Sequence, residues 1–194
     1  MASENPQQPE STTPSGIFSD CINNFLGIFV DPITCIEYAY NRTSQAAGFV
    51  FLGINLLLIF ILSSLLMYNY DYAIKNNFLC GFELTLLMAT IKLLITASSF
   101  FTKDVKGSFL NALGAFGIIT IPTSLLMIVM ILPAALNVSG TNTIIRVTWA
   151  SLDMLYGYFA FTTMHKNNKS QNIGIYVLTQ FIVCVIYGIF NYYI

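Results

Sequence analysis

The sequence predicts an all-α, polytopic integral membrane protein: a bundle of five transmembrane helices with an N-terminal amphipathic helix. Three observations predict it. Of 194 residues, 56% are hydrophobic and only 9% are charged, against about 25% charged in an average soluble domain. The apolar residues gather into five long runs, each near the ~20 residues that cross a hydrocarbon core of ~30 Å. The segments between the runs are too short to hold a soluble domain. This composition excludes an ordinary soluble enzyme and a disordered chain. A net charge of −1, from eight Lys+Arg and nine Asp+Glu, offers no basic face for nucleic acid.

Residues 1–15 are polar, rich in Pro, Ser and Thr, and hold no Lys or Arg. They read as a disordered tail. A secretory signal would open on a basic stretch followed by an apolar one, so the first hydrophobic run is expected to stay as a permanent anchor. Residues 16–45 read as short cytoplasmic helices, amphipathic and interfacial. Ile17, Phe18, Cys21, Ile22, Phe25, Leu26 and Phe29 recur at helical spacing, and Ser19, Asp20, Asn23 and Asn24 fill the other face. Such a helix is too short to span and suits the membrane surface or the flank of the bundle. It has no Lys/Arg rim, which favours packing over sensing of anionic lipid. Asp31-Pro32 supplies an N-cap and a first-turn proline for a second short helix reaching Tyr40. Tyr38 and Tyr40 are expected as interfacial anchors.

The membrane domain is placed at 46–194, with spans at 46–68, 78–101, 108–132, 144–163 and 174–194. The third contains Pro122, which removes a backbone hydrogen bond near its centre, so one kinked span is expected. Ser108, Ala112 and Ala115, with Gly107, Gly114 and Gly117 nearby, give this span a small-residue surface for close helix packing. Loop charge sets the orientation. Arg42, Lys103, Lys106, Lys166 and Lys169 share one side, and Lys75 and Arg146 the other. The basic side is cytoplasmic, which puts the N-terminus inside and the C-terminus outside, in a bacterial plasma membrane.

Four ionisable residues fall inside spans: Glu83 and Lys92 in the second, Arg146 and Asp153 in the fourth. Charges at this depth usually face the bundle interior or a wet cavity. At ~1.5 Å per residue, Lys92 and Asp153 lie within ~4 Å of the midplane, and Glu83 and Arg146 ~10 Å toward the outer face. The depths match in opposite-sign pairs, so the second and fourth spans are expected as neighbours with at least one cross-pair. Arg146 and Asp153, seven apart, share a helix face. Glu83 and Lys92, nine apart, lie about 180° around a helix, so both cannot meet one partner. Lys92–Asp153 is the pair to keep, because neither group reaches water alone near the midplane. Balanced charges favour a structural pair; an ion path is the rival reading.

Catalytic, cofactor and metal sites are expected to be absent. No GxSxG, HExxH, Walker A or dinucleotide-binding context occurs. The cysteines Cys21, Cys35, Cys80 and Cys184 have no CxxC spacing and read as small apolar residues, and His165 has no cysteine nearby.

The layout also resembles a known family. A polar tail leads to a short amphipathic segment with Asp31-Pro32, then five spans with tight loops. A lysine-bearing loop, FFTKDVKGSF at 100–109, precedes a Gly-rich third span carrying Ile121-Pro122. Over roughly residues 25–194 this is similar to the Yip family, the Ypt/Rab-interacting five-span membrane proteins, and above all to its small bacterial members. The resemblance implies fold and topology. In eukaryotic members the cytoplasmic N-terminal region engages small GTPases, but this short tail carries no motif for that. The expected function is therefore a non-enzymatic membrane scaffold, trafficking or envelope-organisation factor. Its expected partners are the lipid bilayer and a protein partner or second copy. The rival is a small transporter or transport subunit using Glu83, Lys92, Arg146 and Asp153.

Overall fold

A computed structural model describes residues 14–41, 45–68, 76–99, 108–164 and 169–193. They form helices α1 (Pro14–Val30), α2 (Pro32–Asn41), α3 (Ala46–Tyr68), α4 (Asn76–Ser99), α5 (Phe109–Ile119), α6 (Ile121–Ala135), α7 (Thr141–Met164) and α8 (Lys169–Tyr193). No strand occurs among the described residues, so the all-α expectation holds. Most of the polar tail, the basic loop at 102–107, His165 and Lys166 lie outside the described residues.

The five apolar runs are all helical, but they are not equivalent. Ala46–Leu65 and Phe109–Ala135 are long and apolar enough to cross a membrane on length and composition. The other three helices are interrupted by polar groups: Glu83 and Lys92 in α4, Arg146 and Asp153 in α7, Gln171 and Gln180 in α8. Their apolar stretches are shorter, such as Thr85–Ser98 and Ile173–Ile186.

The third apolar run is two helices in series. Pro122 has no N–H to give, and its ring crowds the preceding turn. The α-helical ladder stops at Thr120, whose N–H bonds back three residues to Gly117 O at 3.2 Å. α6 restarts with Pro122 in its first turn. The expected kink is thus a one-residue interruption at Thr120, two residues before the proline. Pro133 lies inside α6 and does not end it at 132; the helix runs to Ala135.

Both halves pack along α3. A Cβ at Gly48 would strike the backbone of Gly114, and one at Gly117 would strike Gly48 O. Farther along, Asn55 donates from Nδ2 to Thr123 Oγ1 at 3.3 Å and Ser124 Oγ at 2.8 Å. Moving from Gly48 to Asn55 on one helix moves in the same direction on the other, so α3 and α5–α6 run parallel. Gly107 lies outside the described residues, and Ser108 is an exposed N-cap accepting Asn111 N–H at 3.3 Å. The close approach is therefore made by Gly114 and Gly117, with Ala112 and Ala115 fully buried beside them.

Two apolar cores stack along the bundle. One joins α1, α2, α5, the end of α7 and the start of α8, through Ile28, Ile36, Phe116, Phe161 and Tyr176. The other joins α3, α6 and the start of α7 through Leu58, Leu62, Met127 and Ile145.

The N-terminal helices correct two expectations. α1 does pack on the bundle, but by its Gly16, Asn24 and Ile28 face. The apolar stripe of Phe18, Ile22, Leu26 and Phe29 points outward. The buried face is the one that meets α2, where Cys35 Sγ lies 3.6 Å from Asn24 O; the Asn24 amide donates within α1 to Asp20 O at 2.8 Å. Tyr38 is exposed, as an anchor would be, but Tyr40 is a core residue. Asp31 caps α2 as expected, accepting Thr34 N–H at 3.2 Å. Burial, and secondarily the Asp31 carboxylate, pushes the Cys35 thiol up to about 11, so this cysteine is an inert filler at neutral pH.

The crossing yields a contrast between two glycines of one helix. Gly48→Ala should destabilise the protein by about 1–3 kcal/mol, the usual cost of overpacking. Gly53→Ala, where a Cβ meets nothing within 4 Å, should be neutral or stabilising by up to about 1 kcal/mol. Thermal unfolding of the two variants in detergent checks the difference.

Candidate functional site

α4 and α7 carry the four intramembrane charges of the sequence reading, and the structure brings two of them together. Lys92 Nζ forms an ion pair with Asp153 Oδ2. Their side chains are largely shielded, at 22% and 14% exposure. Trp149, one helical turn before Asp153, places its ring centroid 5.8 Å from Lys92 Nζ. The ammonium thus sits between a carboxylate and an indole face, both presented by α7. A cation over an aromatic ring adds about 0.5–2 kcal/mol, the upper end applying away from water.

The expected cross-pair between these two helices is present, and they meet through side chains. α4 packs on α3, α5 and α8, and α7 packs on α2, α5, α6 and α8. Among the described residues α4 and α7 have no extensive backbone packing. Instead α4, α5, α7 and α8 close a ring of four contacting helices, and the ion pair reaches across its diagonal. The physical reason is side-chain length. A lysine stem extends several Å beyond its helix, so it can meet a carboxylate on a helix with which its own has little backbone contact.

Glu83 stands exposed on α4, as its half-turn offset from Lys92 requires. Arg146 shares the Asp153 side of α7 by rotation but lies two turns nearer the start of that helix, where it is exposed. The structure therefore separates the four charges into one enclosed pair and two peripheral groups. Pro122 is buried at the α5–α6 break, in the α3 interface.

Two polar features were missed in the sequence. The first is Asn55. Thr123 Oγ1 and Ser124 Oγ donate to Thr120 O at 2.8 and 2.9 Å, Thr120 Oγ1 donates to Gly117 O at 2.7 Å, and Asn55 donates to the first two hydroxyls. This chain of hydrogen bonds occupies the interrupted ladder. A single amide within an otherwise apolar helix was the available signal. The second is Tyr176 of α8, which is 2% exposed. Its hydroxyl donates to Asp153 O at 3.3 Å and Met154 O at 3.2 Å, and its ring lies 5.5 Å from that of Phe161. Gly157 makes this possible, since a Cβ there would strike the Tyr176 hydroxyl. Tyr176 therefore clamps α8 to the turn of α7 that carries Asp153. No sequence spacing could have found a tyrosine and a glycine that meet only by tertiary packing.

Chemically, the enclosed pair is neutral as a unit, and its carboxylate is already engaged by an ammonium. Among the described residues no group of three His, Cys, Asp or Glu side chains could hold a metal ion. Cys21, Cys35 and Cys184 are free thiols.

The clamp has a second-site test. Gly157→Ala should cost about 1–3 kcal/mol by overpacking, and Tyr176→Phe about 1 kcal/mol for the lost hydrogen bond. In the double variant the new methyl occupies the space of the missing hydroxyl, so the combined loss should fall clearly below the sum. Unfolding curves of the three variants in one detergent decide this.

No known protein family, curated protein or solved structure matches the chain.

Proposed function

We propose that the protein is a non-enzymatic, five-span integral membrane scaffold of Yip-like architecture, with a cytoplasmic N-terminus. One observation carries this reading: the outer surface of the bundle is widely apolar, while hydroxyls and amides are buried among its apolar cores. Asn55, Thr96, Thr120, Thr123, Ser124, Thr163 and Thr179 are buried, while Leu57, Val129, Leu132, Val147, Leu178 and Phe181 are each more than half exposed. The exposed large hydrophobics recur on α3, α4, α6, α7 and α8, too widely for a single protein interface. Acyl chains tolerate that surface; water does not. The two longest apolar stretches, Ala46–Leu65 and Phe109–Ala135, support the same reading, and α4 and α7 enclose Lys92 and Asp153 against each other.

A scaffold, rather than a transporter, is supported by the state of the Lys92–Asp153 pair. An ion or proton carrier needs a group free to take and release its cargo. Here the central carboxylate is bound by an ammonium, and that ammonium faces Trp149. Such a pair holds two helices in register.

The expected behaviour separates the two roles. The protein should stay in the membrane pellet after alkaline extraction. Lys92→Leu and Asp153→Leu should each destabilise the protein by about 3–5 kcal/mol, because each strands one enclosed charge, whereas the double variant should return close to the parent. Folded yield and thermal stability in detergent measure this. A stable Asp153→Leu protein showing no coupling to Lys92→Leu would sink the structural reading and make ion transport the working hypothesis.

A further inference from the structure

We infer that α1 and α2 form a re-entrant helical hairpin whose turn enters the acyl-chain layer of a single leaflet. The inference rests on the membrane reading above and goes beyond a helix pair lying flat on the surface.

Direction comes first. The C-terminal end of α2 is tied to the starts of two long helices. Gln45, just before α3, donates from Nε2 to Ala39 O at 3.0 Å, and Asn111, in the first turn of α5, donates from Nδ2 to Tyr40 O at 2.7 Å. From that anchored end α2 runs back lengthwise between α5 and α7, burying Cys35, Ile36, Ala39 and Tyr40 on one face. α1 is antiparallel to it, as Cys35 facing Asn24 requires. The α1–α2 turn at Val30–Pro32 therefore points along the bundle, away from the end where α3 and α5 begin. From Ala39 to Val30 is about nine residues, so the turn lies at most ~14 Å below that end, short of the middle of a ~30 Å core by no great margin. Both helices are too short to cross, the length range of re-entrant segments.

The exposed side chains change along the hairpin to match. Near its open end Phe18 and Ile22 stand among Ser19, Asn23, Tyr38 and Asn41. Toward the turn Leu26, Phe29, Val30 and Ile33 predominate, with Val30 85% exposed, beside Asp31 and Thr34. This shift from a mixed to a mostly apolar surface fits headgroups at the open end and acyl chains at the turn. Between Met1 and Asn41 there is no Lys or Arg, while Asp20, Asp31 and Glu37 are acidic. Attraction to anionic headgroups therefore does not hold the hairpin; its anchors and its apolar turn do. Asp31 limits the depth. An ionised carboxylate is costly in hydrocarbon, so although Thr34 N–H is one partner for it, the turn stops in the upper acyl region. Two helices, each about 10 Å across, then widen one leaflet and not the other, which makes the protein a wedge.

Depth-dependent fluorescence quenching tests this, because Trp149 is the single tryptophan. In a Trp149→Phe background, Val30→Trp reports the turn and Leu57→Trp, at the exposed centre of α3, reports a span. Both are placed in phosphatidylcholine vesicles brominated either near the ester or far along the chain, with aqueous iodide as the opposing quencher. Should Trp149→Phe not fold, the same variants with Trp149 retained are read by difference from the parent. The expected result is several-fold stronger quenching of Val30→Trp by ester-proximal bromine than by iodide, with Leu57→Trp quenched best by distal bromine. Iodide quenching of Val30→Trp beside bromine quenching of Leu57→Trp overturns the hairpin and leaves the membrane reading standing. Shielding of Val30→Trp from both quenchers means a protein covers the turn, and also overturns it. Iodide quenching of Leu57→Trp removes the membrane reading itself, and this inference with it.

Discussion

The close parallel contact of α3 with α5 and α6 is the constraint on which the rest of the bundle depends. Gly48 lies against Gly114 and Gly117 with no room for a side chain between the backbones. Two helix turns on, Asn55 closes the same interface by hydrogen bonding to Thr123 and Ser124. In lipid, apolar side chains gain little by meeting one another, so association relies on close packing and hydrogen bonds. This interface uses one at each end. It also explains how a helix broken at Thr120 remains a single support. The hydroxyls at 120, 123 and 124 bond to Gly117 O and Thr120 O, and Asn55 secures those of 123 and 124 from the neighbouring helix.

Everything else is arranged around that support. α1 and α4 pack on α3; α2 and α7 pack on α5. α8 closes the far side by touching α4 and α7. The ring of α4, α5, α7 and α8 has an interior, and the two charges that cannot reach water meet there. Tyr176 and Gly157 then clamp α8 to the turn of α7 that bears Asp153. Removing one member of such a pair is costly because the survivor has no solvent to turn to, which is why balanced charges suit a packing role.

The N-terminal hairpin gives the molecule unequal ends. The core around Ile28, Ile36 and Phe116 takes in the two short helices, and the core around Leu58 and Met127 does not. In the proposed membrane reading, a molecule wider at one end than the other acts on its bilayer through shape. That property is compatible with the scaffold reading and needs no ligand.

The helices themselves were legible in the sequence. Runs such as 46–68 and 108–132 have no alternative to helix in an apolar setting, because every backbone group must find its partner within the segment. The Asp31-Pro32 cap and the Pro122 interruption were equally legible, since capping and the missing proline N–H act over one turn. So was the Lys92–Asp153 pair, because depth along a helix is counted directly from residue number. Other features were decided by tertiary structure. α1 shows its apolar stripe outward because its Asn24 and Ile28 face is the one that meets α2, and periodicity alone cannot say which face a bundle will accept. Tyr40 is core and not anchor because α2 lies between α5 and α7. The helices of the ion pair face each other across a ring of four, so side-chain reach brings the charges together. Sequence pattern determines what each segment forms and how deep its groups lie; only packing determines which faces meet.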